Sequence, residues 1–472
     1  MKMAVFLACL LLQPLLSTAS SAQLISEEKE RTAIQVTVYN SNLGLIRETR
    51  KMVLPVGEGE LRFMDVASHI LPSSVFAASM KHQEGFSVLE QTYEYDLMNE
   101  KTLLDRYVGR EMKLVLWNET HDRKEEATAT LLSNNEDQVF RIRDEIYLGH
   151  PGFRVLPSLP DNLVAKPTLA WRYSNSVKEA QELEVSYLTG GMNWTADYIL
   201  LVHPDERSSD LCGWATVENR SGTTYKDAEL KLVAGNVHRA VAARDGLAAA
   251  PAMEMKVARA SVPQFEESPV FEYHTYDLKR RSTLRDNQSK QISFLDAENI
   301  TIRKEFVVYG ARFHPRKITD EPLRQPVNVV VFFRNTKENR LGSVLPAGVV
   351  RLYMEDGKGA RQFIGEERIS HVPGDEEVRL KTGEATDLIA ERTQTDFRQL
   401  SSKLFEMEWE TTLRNHKDKE VSIGLIEPLS GNWRILSNSH PFKKTSAFSV
   451  RFDVKVPGGG EAKVKYRVQV GL

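Results

Sequence analysis

Residues 448–470 alternate apolar and polar side chains so strictly that a β-strand is the only element able to bury them. Phe448, Val450, Phe452, Val454 and Val456 are separated by Ser449, Arg451, Asp453 and Lys455. Pro457-Gly458-Gly459-Gly460 follows, and then Ala462, Val464, Tyr466, Val468 and Val470 are separated by Lys463, Lys465, Arg467 and Gln469. Successive strand side chains point to opposite sides, so each segment has one apolar and one wet face. A helix would spread the same apolar residues around its whole circumference. With their Pro-Gly-rich connection the two segments read as a hairpin.

The same writing recurs upstream. Phe405, Met407, Trp409, Thr411 and Leu413 alternate with Glu406, Glu408 and Glu410, and Val421, Ile423 and Leu425 follow the turn-like Asn415-His416-Lys417-Asp418. The continuous apolar run 329–333 reads as a strand buried on both faces. Leu352 and Met354 lead into Asp356-Gly357, a hairpin-turn pair. Val36, Val38, Leu43 and Leu45 precede an expected hairpin centred on Pro55-Val56-Gly57. No long segment keeps a helical period; short helical turns are expected only around 97–107 and 388–393.

Many short strands at close spacing predict an all-β chain of serial, immunoglobulin-like β-sandwiches with little helix. Proline clusters and an alanine-rich stretch suggest divisions into a signal peptide (1–22), an N-terminal β-domain (23–165), a central β-domain (166–240), a flexible linker or loop (241–269), a β-sandwich module (270–385) and a C-terminal immunoglobulin-like sandwich (386–472).

The start of the chain predicts export. Lys2, an apolar run from Ala4 to Leu16 and the small residues Ser20-x-Ala22 form a secretory signal, with cleavage expected before Gln23. That run is too short to span a bilayer, and no later segment approaches spanning length. The mature chain, periplasmic, surface-associated or secreted, is expected to have no transmembrane span. Cys9 leaves with the signal, so Cys212 would be the only remaining cysteine and is expected to be a buried apolar side chain. Lys and Arg number 62 against 65 Asp and Glu, and they are interspersed. Phosphate neutralisation needs a basic stripe, so nucleic-acid binding is excluded.

Motifs of catalysis are missing: there is no H-E-x-x-H, C-x-x-C, G-x-S-x-G or P-loop. No cofactor and no metal site is expected. Clustered carboxylates at Asp375, Glu376 and Glu377, with Glu355 and Asp356, read as solvated turns rather than a calcium site. Glu272, His274 and Tyr276 would share one strand face, a pattern more typical of a half-exposed strand than of acid–base chemistry. The candidate ligand-binding residues are Trp194, Tyr198 and Trp214 with Asn193 and Asp197. Flat aromatics beside amide and acid groups suit sugar recognition, although core packing is the commoner explanation of strand aromatics.

The block 187–198, the block 213–239, the start Val36-Thr37-Val38-Tyr39-Asn40-Ser41-Asn42-Leu43-Gly44-Leu45 and later Thr412-Leu413-Arg414-Asn415-His416 and Glu427-Pro428-Leu429 resemble a bacterial envelope family. It is known as a domain of unknown function, the 4139-type, grouped with mucoidy inhibitor A proteins. The resemblance implies an exported, β-rich protein and no reaction. Those relatives often carry a long coiled coil, which this chain lacks. The expected function is non-catalytic binding of an envelope protein or polysaccharide. The alternative is a hydrolase of cell-wall or exopolysaccharide material using two of Asp197, Glu272, Asp277 and Asp286, which requires two carboxyls about 5–10 Å apart.

Overall fold

The computed structural model describes residues 24–94, 100–118, 123–135, 137–159, 166–235, 237, 265–270, 273–310, 321–356 and 359–471. The expected signal peptide, Glu272 and residues 241–264 of the expected linker lie outside the described residues. Within them the chain is all-β and sandwich-type, with one α-helix, Glu100–Tyr107. No helix among the described residues is long and apolar enough to cross a membrane. The helical turn expected at 388–393 is instead the start of the strand Leu388–Ser401, where Leu388, Ala390 and Arg392 alternate inward.

Three sheets enclose the first core. Val36, Ile46 and Tyr187 come from an eight-stranded sheet, Phe63, Trp171 and Tyr173 from a four-stranded one, and Trp194, Tyr198 and Leu352 from a ten-stranded one. The chain does not form a hairpin at Pro55-Val56-Gly57. Leu43–Met52 pairs with Arg31–Tyr39 and Gln181–Thr189, whereas Gly57–Met64 pairs with Thr168–Asn175 in the four-stranded sheet. The connection is an arch between sheets. Fully buried Arg50 ties the two sheets together: it donates to the carbonyls of Ser26 (2.9 Å) and Met64 (2.7 Å), pairs with Glu48 and lies over the Phe63 ring.

One strand joins the two large cores. Gln288–Tyr309 pairs with Ser208–Asn219 through its first part and with Val327–Arg334 and Val421–Pro428 through its last. Ile292, Ile300 and Ile302 therefore pack in the first core and Val308 in the second. The second core lies between that end of the ten-stranded sheet and a five-stranded sheet. The C-terminal pair is also an arch rather than a hairpin. Ser449–Val456 pairs with Val421–Pro428 and Phe442–Ser446, while Glu461–Gly471 pairs with Leu404–Asn415 and Asn432–Asn438. Val454 and Val468 thus meet in one core from opposite sheets.

A small five-stranded sheet is inserted in the sequence between the paired strands Phe86–Glu94 and Thr168–Asn175, with its own core of Leu104, Tyr107, Met112, Leu114, Leu131 and Phe140. Its other face is open and mixed, with Val115 and Trp117 standing opposite Glu126 and Lys124. Phe153 stands opposite Val115, with Trp117 and Val155 alongside on the same face; Phe153 is 78% exposed and Trp117 56%.

Candidate functional site

The signature strands Met192–Val202 and Ser208–Asn219 pair antiparallel from Met192↔Asn219 to Val202↔Ser209. Their pleat splits the predicted ligand residues into two groups. Trp194 and Tyr198 point into the first core. The Trp194 indole donates to the Val233 carbonyl at 2.9 Å, and the Tyr198 hydroxyl to the Pro346 carbonyl at 2.7 Å. Trp194, Tyr276, Phe294 and Tyr198 meet edge to face in succession, 6.1, 6.1 and 5.7 Å between centroids. Burial pushes the Tyr198 phenol well above its ordinary pKa. Both rings and both polar tips are engaged within the core.

Asn193, Asp197 and Trp214 lie on the opposite face of the sheet. Asp197 is directly opposite Trp214 and accepts hydrogen bonds from Arg351 (3.1 Å) and Thr216 (2.9 Å). The Asn193 Oδ1 is buried without a hydrogen-bond partner among the described residues. Cys212 is on this face too; it is half-buried rather than buried, and its thiol reaches Asp296 at 3.5 Å.

The carboxylates suggested for hydrolysis are distributed over separate elements. Asp197 is in the ten-stranded sheet, and Asp277 is in the eight-stranded sheet beside Lys231 at 3.1 Å. Asp286 is in a turn, accepting from the Gly222 N–H. Among the described residues no group of three or more His, Cys, Asp or Glu side chains could hold a metal ion.

A different place has the shape of a binding site. Where the two large cores adjoin there is a groove of about 310 Å³. Its floor is Ile302, Phe306, Val329, Val331, Met354 and Ile364. Register explains why it is open. Phe306 stands opposite Val329, and Val329 opposite Gly383, so one row crosses three strands. Gly383 leaves the third position of that row empty, and a Cβ there would meet nothing within 4 Å. Lys304, two residues before Phe306, faces the same way beside Val331. Two ion pairs border the groove: Lys304 with Glu206, and Lys417 with Asp387 at 3.1 Å. Both ammonium groups approach the Phe306 ring, at 5.5 and 5.9 Å from its centroid.

Sequence reasoning did not single out Lys304, Phe306, Gly383 or Lys417. The available signal was a glycine inside the strand Glu377–Glu384, which marks a bulge or a missing side chain. The neighbouring register does shift between Val329 and Val330.

Comparison with curated proteins gives no match. Residues 183–472 match a family described as "Domain of unknown function (DUF4139)". That span holds the signature hairpin, the long shared strand, the groove and the whole second core. It is more than half of the chain, which therefore belongs to the DUF4139 family.

Proposed function

We propose that this chain is an exported, non-catalytic binding protein of the cell envelope, and that it holds an envelope component in the groove between its two large cores. The groove carries the reading: it combines an apolar floor, a bordering pair of cations and a gap left by one glycine. Small-ligand and anchor sites pair an apolar lining with placed polar groups, here Lys304 and Lys417 with Thr382 and Thr386 on the same lining. The exposed Trp117 and Phe153 rings, set on one face with Lys113, Lys124 and Glu126, add an amphipathic surface to this reading. Export is supported by the charged start, the short apolar run and Ser20-x-Ala22. The likeness to mucoidy inhibitor A proteins favours the envelope.

The test is a crosslinked pull-down of the tagged protein from intact cells, with bound proteins, glycans and lipids identified. The expected result is a component recovered with the wild type and lost with Gly383→Leu, from a protein whose N-terminus is Gln23. Equal recovery with both would remove the groove from the reading, and turnover of a wall polysaccharide would replace binding with catalysis.

A further inference from the structure

We infer that the groove takes a single-chain amphiphile: an unbranched alkyl chain lying along the Phe306–Val329–Gly383 row, with an anionic head at the Lys304 and Lys417 ammonium groups. This rests on the groove being the binding site.

The floor is aliphatic and aromatic, with Ile302, Val329, Val331, Met354 and Ile364 around Phe306. Thr382, Glu384 and Thr386 also line the groove, but the floor itself offers no side-chain hydrogen-bond partner to a hydroxyl. A sugar placed there would lose its water contacts without replacement, whereas an alkyl chain has none to lose. The volume, about 310 Å³, suits one chain and not a bulky head. A head group must therefore sit at the border, where the charges are.

Those charges are arranged asymmetrically. The side chains of Lys304 and Lys417 are 28% and 38% exposed and lie beside the Phe306 ring, while their partners Glu206 and Asp387 are 42% and 56% exposed. The cations lean over the Phe306 ring, and Glu206 and Asp387, although they too line the groove, are the more exposed member of each pair. Ion pairs this exposed are weak. An incoming carboxylate or phosphate can take the ammonium groups and release Glu206 and Asp387 to solvent without stranding a buried charge. A cationic head would meet the two ammonium groups, and a neutral head would gain nothing from them.

The experiment uses the delipidated mature protein, with dodecanoate, dodecanol and dodecylammonium titrated below their micelle concentrations. Calorimetry is the readout. Dodecanoate is expected to bind tightest, with dodecylammonium last. Shortening the carboxylate from twelve to eight carbons should weaken binding roughly fourfold per methylene. The double variant Lys304→Met/Lys417→Met should keep the chain-length dependence and lose the preference for the anion. Glu206→Gln should strengthen it. Gly383→Leu, whose added side chain enters open space, should abolish binding with unfolding temperature unchanged. Lysophosphatidylglycerol of equal chain length separates the two sources of this chemistry: tighter binding than dodecanoate assigns a lipid headgroup, weaker binding a free carboxylate. Equal binding of the three dodecyl compounds, or undiminished binding to Gly383→Leu, would overturn the inference. If no amphiphile binds, the ligand class is wrong. Loss of the cell-derived component in Gly383→Leu would then still uphold the groove as the binding site.

Discussion

The side-chain amide of Asn415 donates to the carbonyl of Pro457 at 3.0 Å, tying the end of one strand to the arch that follows another. It also donates to the carbonyls of Val456 (3.2 Å) and Lys419 (2.8 Å), and its Oδ1 accepts from the Lys417 N–H at 3.0 Å. One buried residue thus holds two crossovers between the same pair of sheets. Asn175, Asn219 and Asn335 repeat the arrangement. Each is buried at or just past a strand end, donates to loop carbonyls and accepts from a backbone N–H of its own loop. Asparagine suits the place because it carries two donors and an acceptor on a short stem. Aspartate would turn an anion towards carbonyl oxygens.

Asn415→Ala is therefore expected to destabilise the protein by about 2–4 kcal/mol, because it leaves several loop carbonyls buried without donors. Urea unfolding checks this. Asn175→Ala, at the other core, should cost a similar amount, and the double variant should be close to additive. A loss under about 0.5 kcal/mol at Asn415, the level of an ordinary surface substitution, would mean that water replaces the amide at that corner.

Strand identity was legible in the sequence because alternation has a direct physical cause. Leu404–Asn415 buries every second residue from Phe405 to Asn415, as its pattern of Phe405, Met407, Trp409 and Leu413 predicts. Pairing was not legible at the same level. A period of two specifies one buried face but not which sheet supplies the neighbours. Hence 448–456 and 462–470 read as a hairpin and are in fact facing strands of two sheets. The eight-stranded sheet shows the same limit. Its strands come from 31–52, 76–79, 181–189, 225–234, 265–270 and 273–284, stretches that composition assigns to three separate segments and the expected linker. The groove was hidden for a related reason: it is made by a register match of Phe306, Val329 and Gly383 across strands distant in sequence.

Trp194 and Tyr198 are expected to act on stability and not on ligand affinity. Trp194→Ala should cost about 3–5 kcal/mol, the usual range for deleting a buried aromatic ring. Tyr198→Phe removes only the hydroxyl that donates to Pro346 and should cost about 1–2 kcal/mol. Denaturant melts give both values. A folded Tyr198→Phe protein with lost sugar or protein binding would restore this face as a ligand platform.

The inserted sheet is expected to be dispensable for folding of the rest. Glu94 and Thr168, on either side of it, are paired residues of adjacent antiparallel strands, so the insert leaves and re-enters the fold at one place. Its core shares no member with the other two. Replacing 96–165 by a short Gly-Ser linker should leave a cooperative transition with a smaller urea m-value, in keeping with less surface exposed on unfolding. Loss of cooperative unfolding would show that the insert props up the four-stranded sheet.

Arg467 makes the pH dependence of the second core predictable. On the outer face of the five-stranded sheet it pairs with Asp396 and Glu406, each at 2.8 Å, and with Glu408 at 3.5 Å. The Arg467 hydrogen bond, ahead of a smaller opposing effect of burial, holds the Asp396 carboxyl below its ordinary value. Burial pushes Glu408 up, but the Thr395 hydroxyl, Lys465 and Arg467 together outweigh it, so its pKa is also lowered. Carboxyls with depressed folded values bind protons more readily in the unfolded chain. They stabilise the fold above the ordinary carboxylate range and lose that contribution as the pH falls through the depressed values. Arg467→Met should therefore be less stable than the wild type at pH 7, with the gap narrowing steadily below about pH 4. Added salt should narrow the gap at pH 7 as well, because these charges are partly exposed. A gap that stays constant from pH 7 to pH 3 would show that Arg467 contributes through packing of its aliphatic stem rather than its charge.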